Sequence, residues 1–396
     1  MVAIAEVRSG ASLNTRYGQR AAKIVKGVLS IAICLSSSCI ASFTQSTSGS
    51  NLLWAHQIIP ELGETPHRGL DNNRAGVRFV NNDRLIVFAI QLDTGQLSSR
   101  ESPETSSPFR LRIWVLNANS GSVVLTKDFG TRVRDSQVEV TSGGVLVKTG
   151  SILKQYSAEF EDAFDLTRPV GKGEWITANV SFSGKTIVTN RPNQVLKISR
   201  LDEFDPTNHK LTQSWQESPP LYHSYSISDE MMAAFDVSSR SIVATKLGTN
   251  IWKTIGPGFG LCPSMNAPTF YEEEWLVYGC DKLIAASTDG GVRATVFSPN
   301  RNSFIGNKVA AAGGRFVAVS LDTREVRKHL LSEATTRILK RQVAVFDLKL
   351  MKCILTVEIN PLPQRDYDFA LSSDGSTLTV LCDRTLSLYS VFPHDQ

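Results

Sequence analysis

The sequence lacks the short motifs that carry common chemistry. It has no Gly-x-Ser-x-Gly nucleophile elbow, no Gly-x-x-x-x-Gly-Lys-[Ser/Thr] phosphate loop and no His-Glu-x-x-His metal motif. These absences argue against the hydrolases, nucleotide-binding enzymes and metalloproteases that use such motifs. The 6 histidines are scattered singly along the chain and indicate no metal site. We therefore expect no catalytic residue, no cofactor and no bound metal.

The sequence has little charge imbalance outside its first residues. The formal net charge is +4, and residues 1–42 hold five basic residues against one acid, Glu6. The rest of the chain carries equal numbers of basic and acidic residues. Nucleic-acid binders usually show a basic excess or a basic stripe. The sequence therefore predicts no nucleic-acid partner.

No apolar run is long enough to cross a bilayer as a helix, since Gly27–Leu35 has only nine residues against the ~20 required. This run follows a basic segment and precedes the small-residue tract Ser36–Ser42, an order typical of a secretory signal peptide. We predict a signal peptide over residues 1–42, a linker over 43–50 and an extracytoplasmic (periplasmic or secreted) chain. The alternatives are a short anchor, a buried helix or lipidation at Cys39.

Only four cysteines follow the predicted signal peptide: Cys262, Cys280, Cys353 and Cys382. They include no Cys-x-x-Cys pair and so do not fit the usual zinc-ligand spacing. An even number of cysteines in an oxidising compartment permits two disulfides. If disulfides form, we favour a bond between Cys262 and Cys280 and a second between Cys353 and Cys382. The alternative is four buried thiols that pack as small apolar groups.

Short apolar or alternating runs, separated by Gly, Asn, Asp, Ser and Pro clusters, continue from residue 77 to residue 391. Such runs predict β-strands, and they fall into groups of four, except that the last group has three. The run Leu52–Ile59 can supply the missing strand. Groups of four short strands are typical of propeller blades. The predicted fold is an all-β, seven-bladed β-propeller of four-stranded antiparallel blades over residues 51–392. Strand 51–59 closes the ring, and a tail follows at 393–396.

Three segments resemble blades of the WD-repeat and quinoprotein-like β-propellers. Ile113–Val124 and Val345–Ile354 look like a third strand, a turn and a fourth strand, and Phe369–Leu381 looks like a first strand, a turn and a second strand. Val180–Lys185 is a degenerate copy of the last pattern. The family's Gly-His and Trp-Asp dipeptides do not occur. The resemblance implies an exported bacterial propeller with degenerate repeats, and it carries over no functional residue. Such propellers mostly bind other molecules.

Two long inserts, Asp93–Phe109 and Asp322–Arg341, are predicted to join the second and third strands of their blades and so to share one end of the ring. The second insert is basic, and its apolar spacing fits an amphipathic helix with Asp322 as N-cap. The alternatives are a long hairpin extension and a helix that packs back on its own ring. Because long loops are often functional, we select Arg324, Arg327 and Lys328 as candidate partner-binding residues.

These observations favour a monomeric binding or scaffold protein over an enzyme. The predicted partner is a protein, a glycan or an envelope component, and peripheral membrane contact is one form of such binding. The alternative function is an extracytoplasmic hydrolase or lyase that acts at the central channel. Convergence of carboxylates or histidines in that channel would favour the enzyme.

Overall fold

The computed structural model describes most of the chain beyond residue 50. The described residues are 51–57, 75–92, 109–131, 136–171, 174–218, 225–236, 241–255, 269–272, 275–279, 282–287, 292–297, 303–312, 315–327, 335–350, 352–360, 362, 367–383 and 385–392. The predicted signal peptide and linker, most of the insert Asp93–Phe109 and the predicted tail lie outside these residues.

The described residues form β-strands and no helix, as the all-β prediction requires. The strands are β1 (Leu52–Gln57), β2 (Ala75–Asn81), β3 (Arg84–Leu92), β4 (Phe109–Asn117), β5 (Val123–Thr131), β6 (Ser136–Thr141), β7 (Gly144–Thr149), β8 (Ile152–Tyr156), β9 (Ala163–Asp165), β10 (Thr177–Val180), β11 (Ile187–Asn193), β12 (Ile198–Asp205), β13 (Lys210–Glu217), β14 (Tyr225–Ile227), β15 (Met231–Asp236), β16 (Ser241–Lys246), β17 (Lys253–Thr254), β18 (Thr269–Glu272), β19 (Trp275–Gly279), β20 (Lys282–Ser287), β21 (Val292–Phe297), β22 (Ser303–Ala312), β23 (Phe316–Arg327), β24 (Thr335–Asp347), β25 (Lys352–Glu358), β26 (Tyr367–Leu371), β27 (Thr377–Cys382) and β28 (Thr385–Ser390). Within the described part of the chain, no helix has the length and apolar character to cross a membrane.

The strands assemble into four-stranded antiparallel sheets in chain order. The sheets are β2–β5, β6–β9, β10–β13, β14–β17, β18–β21 and β22–β25, and a last sheet has the order β1-β28-β27-β26. The first strands lie side by side: β2 contacts β6, and the contacts continue through β10, β14, β18, β22 and β26 back to β2. The first strands therefore surround a central channel, and the sheets are the blades of a β-propeller.

The N-terminal strand β1 completes the last sheet. It pairs with β28 from Leu52 opposite Tyr389 to Gln57 opposite Thr385. The indole N–H of Trp54 donates to the carbonyl of Ala118 in the β2–β5 sheet at 2.9 Å, so β1 also contacts the neighbouring blade. The predicted closing strand is confirmed over Leu52–Gln57.

The hydrophobic core lies in layers between neighbouring sheets. Strand β3 illustrates this, because Val87 packs with side chains of the last sheet while Ile86 and Phe88 pack towards the β6–β9 sheet. Side chains alternate between the two faces of a strand, and here both faces are buried. This explains why the middle strands are continuous apolar runs in the sequence.

The turn between β26 and β27 has the geometry that its sequence predicts. The Asp374 carboxylate accepts hydrogen bonds from the backbone N–H of Ser376 at 2.9 Å and from the Ser372 hydroxyl at 2.6 Å. Gly375 has φ of 71°, a left-handed conformation that suits glycine. A Cβ atom at Gly375 would also collide with the ring of Phe316 in the preceding sheet.

The two ends of the ring differ in their connections. The turns between first and second strands and between third and fourth strands lie together, as hydrogen bonds from Ala118 N to Asp83 O at 2.8 Å and from Leu348 N to Arg315 O at 3.0 Å show. We call this side the turn end. The connections between second and third strands lie at the opposite side, which we call the loop end.

Candidate functional site

The basic insert, for which the sequence left a helix and a long hairpin open, forms two paired strands over its described residues. Strands β23 and β24 pair in antiparallel register as far as Arg327 opposite Thr335. Strand β22 pairs with β23 only up to Thr323, and β25 pairs with β24 only from Gln342. Residues 324–327 and 335–340 therefore form a two-stranded ribbon that extends beyond the sheet at the loop end. We call this ribbon the arm. Of the two interpretations, the described residues support the hairpin, because cross-strand pairing satisfies the backbone groups that a helix would have satisfied internally.

The base of the arm is held by a buried carboxylate. Asp322 accepts hydrogen bonds from Arg341 through both oxygens, at 2.6 Å from Nε and 2.9 Å from a terminal nitrogen. Arg324 reaches the same carboxylate at 3.5 Å. Of the three predicted binding residues, Arg324 thus engages Asp322 within the fold, Arg327 is the last residue of β23, and Lys328 lies outside the described residues.

Arg341 links the arm to the last sheet. Its guanidinium lies 4.2 Å from the ring centroid of Tyr367, the first residue of β26. Burial alone would lower the pKa of Arg341, but the hydrogen bonds that it donates to Asp322 raise the pKa above its usual value. The cation therefore stays charged at the junction between the arm and the channel wall.

A second polar cluster lies in the channel wall near the loop end. Arg78 of β2 donates to Glu139 of β6 at 3.2 Å and to Asp368 of β26 at 2.8 Å. The backbone N–H of Val77 also donates to Asp368, at 3.1 Å. We call Arg78, Glu139 and Asp368 the channel cluster. Asp368 directly follows Tyr367, so the channel cluster and the base of the arm are neighbours.

The channel cluster connects blades through opposite charges. Burial alone would lower the pKa of Arg78, but the charges of Glu139 and Asp368 and their hydrogen bonds raise the pKa. An arginine with a raised pKa does not exchange protons near neutral pH. The two carboxylates are bound by this cation, so the geometry is that of an ion-pair bridge across three first strands.

The described cysteines do not form the predicted bond. Cys353 and Cys382 both keep their thiols, with no disulfide between them. The Cys353 sulfur lies 3.4 Å from the hydroxyl oxygen of Thr356 and 3.5 Å from the Leu355 carbonyl, and burial raises the pKa of its thiol. Cys353 thus packs as a small buried side chain, the alternative to a disulfide for this pair. Cys262 and Cys280 lie outside the described residues.

Sequence reasoning missed the channel cluster. Arg78 and Glu139 are 61 residues apart, and Arg78 and Asp368 are 290 apart, so no local motif joins them. The available signal was a charged residue inside each of three runs otherwise read as strands.

Within the part of the chain that the structure describes, no group of three or more metal-binding side chains is assembled.

No protein-family model matches the chain, and no curated protein matches it.

Proposed function

We propose that this chain is an exported binding propeller that engages its partner at the loop end. In this proposal it is a closed ring of seven blades, related to the degenerate WD-repeat and quinoprotein-like propellers of bacteria. The arm is the observation that carries this proposal. A hairpin that continues past both neighbouring strands lies outside the four-stranded sheet, and long surface elements of this kind are often binding elements.

The charge of the arm supports a binding role. Its described residues include Arg324, Arg327, Arg337 and Lys340 against one acid, Glu325. Arg337 is exposed, while Arg324 holds the arm on Asp322. The binding contribution therefore belongs to the outer cations, and Arg324 is a positioning residue.

Photo-crosslinking in the producing cells tests this proposal. A photoreactive amino acid is placed at Leu339 in the arm or, as the matched control, at Leu350 at the turn end; these side chains are 51% and 60% exposed. We expect specific adducts from position 339 and none from position 350. Equal adducts from both positions, or adducts from 350 alone, would contradict the proposal.

A hydrolase or lyase at the channel is the second candidate, because two carboxylates do converge near its loop end. The shared bond to Arg78 and the Val77 N–H bond to Asp368 disfavour it, since they stabilise both carboxylates in the ionised form and hold one oxygen of each in an ion pair. Hydrolysis of chromogenic glycosides or esters that is lost in Glu139→Gln would establish the enzyme. We expect no such activity.

A further inference from the structure

The connection between β11 and β12 presents two apolar side chains to solvent. Val195 is 81% exposed and Leu196 is 57% exposed, and the connection lies at the loop end because it joins second and third strands. We call Val195 and Leu196 the apolar tip. Adjacent exposed aliphatic side chains at a loop tip are unfavourable in water unless a partner covers them.

The apolar tip is held in a fixed conformation. The Asn193 side chain accepts a hydrogen bond from the Leu196 N–H at 2.9 Å and donates to the Glu174 carboxylate at 3.2 Å. Glu174 is buried and also binds Arg200 at 3.1 Å. Lys197 has φ of 53°, in the left-handed region that non-glycine residues rarely adopt. A buried carboxylate and a strained backbone thus support a tip that contributes no side chain to the core.

The charge near the tip is positive on its exposed side. Lys197 is exposed beside the tip, and Arg337 is exposed on the arm. The nearby carboxylates face inward to arginines: Glu174 binds Arg200, and Asp202 binds Arg191 at 2.5 Å. The exposed side chains of the tip, of Lys197 and of Arg337 therefore combine apolar and cationic groups.

The apolar tip and the arm project in the same direction from different sides of the ring. The tip belongs to the β10–β13 sheet and the arm to the β22–β25 sheet, with two sheets between them along the chain. A broad, flat partner can contact both.

We infer that the loop end docks on an anionic lipid bilayer surface, with Val195 and Leu196 inserted among the lipids and Lys197 and the arm cations at the head groups. Apolar insertion and attraction to anionic lipids together are the usual basis of peripheral binding. This inference rests on the proposed function, because it names the partner of the same end.

The test uses the full chain and vesicles of neutral phosphatidylcholine, with or without anionic phosphatidylglycerol. A photoreactive amino acid is placed at position 195 or at the control position 350, and lipid adducts are measured. A second pair of variants compares Val195→Asp/Leu196→Asp with Ile251→Asp/Leu350→Asp at the turn end. Because all four side chains are exposed, neither double variant should change the melting temperature.

We expect lipid adducts at position 195 that require the anionic lipid, and none at position 350. In flotation, the tip variant should bind at least about tenfold more weakly, while the turn-end variant binds as the wild type does. Absence of lipid adducts at 195, or equal losses in both double variants, would overturn the inference. If position 339 forms adducts in cells with protein alone, the proposed function stands and the lipid inference fails.

Discussion

Glu217, the last residue of β13, is a buried carboxylate between two indoles. One oxygen accepts the N–H of Trp215 at 3.3 Å, and the other accepts the N–H of Trp252, just before β17, at 3.2 Å. The carboxylate therefore links neighbouring blades. Burial raises the pKa of Glu217, and the two indole hydrogen bonds oppose that rise only in part.

This raised pKa makes the stability of the fold depend on pH. A carboxyl group with a raised folded-state pKa stabilises the fold fully below its unfolded-state pKa, and that contribution is lost as pH rises through the folded-state pKa. We therefore expect the free energy of unfolding of the wild type, relative to Glu217→Gln, to fall as the pH rises from about 4, where the carboxyl of the unfolded chain ionises. Urea unfolding of both proteins at a series of increasing pH values measures the difference. Trp252→Phe removes a donor to the ionised form, so it should move the fall to higher pH. A difference that stays constant with pH would contradict this account.

Charge reversal at two arginines of the arm should change the stability of the fold by very different amounts. Arg324 lies 3.5 Å from the buried Asp322 carboxylate, so Arg324→Glu places two negative charges together and should lower the free energy of unfolding by about 1–3 kcal/mol. Arg337 is exposed, and Arg337→Glu should change the free energy of unfolding by less than about 0.5 kcal/mol. Thermal or urea unfolding of both variants compares them. Equal stability of the two variants would show that Asp322 does not anchor the arm through Arg324.

At the scale of elements, the closing strand β1 stabilises the ring mainly through its hydrogen bonds to β28 and through one side chain. Leu52 and Leu53 are largely exposed, while Trp54 packs against the layer between the last sheet and the β2–β5 sheet. The apolar contribution of β1 to the core therefore comes mostly from Trp54.

Trp54→Ala should destabilise the protein by about 2–4 kcal/mol, because it removes a partly buried indole and its hydrogen bond to Ala118. Leu53→Ala, the matched control on the same strand, should cost less than about 0.5 kcal/mol. Melting temperatures and urea midpoints give the comparison. A Trp54 variant as stable as the Leu53 variant would mean that β1 does not hold the ring closed.

The strands could be predicted from the sequence because neighbouring blades bury both faces of the middle strands, which leaves long apolar runs between polar turns. The arm could not be predicted in the same way. Val326, Leu330 and Ile338 have helical spacing, but the pairing of Val326 with Thr336 across the hairpin is information that a single segment does not carry. The channel cluster depends on contacts between distant strands, so it required the assembled ring.

At the scale of the whole molecule, the proposed extracytoplasmic location predicts the mass of the mature chain. Residues 1–42 should be absent from the protein of the producing cells, or should anchor it to a membrane, because their charge and apolar pattern are those of an export signal. Intact mass measurement of protein from separated cell fractions checks this. Full-length protein that begins at Met1 in the cytosol would contradict export.

The two ends of the ring differ in the features that they expose. The turn end is closed by hydrogen bonds between turns, such as Ser142 N to Gly184 O at 2.8 Å. The loop end carries the arm, the apolar tip and the nearby channel cluster. From this difference between the ends, we predict that a partner covers only the loop end in the cell.

Thiol labelling tests that claim directly. Val195→Cys at the loop end and Leu350→Cys at the turn end are labelled with a thiol reagent, both in the producing cells and in purified protein, and the modified peptides are quantified. We predict that position 195 reacts much more slowly in cells than in purified protein, while position 350 reacts equally fast in both. Equal labelling of position 195 in cells and in purified protein would contradict the account.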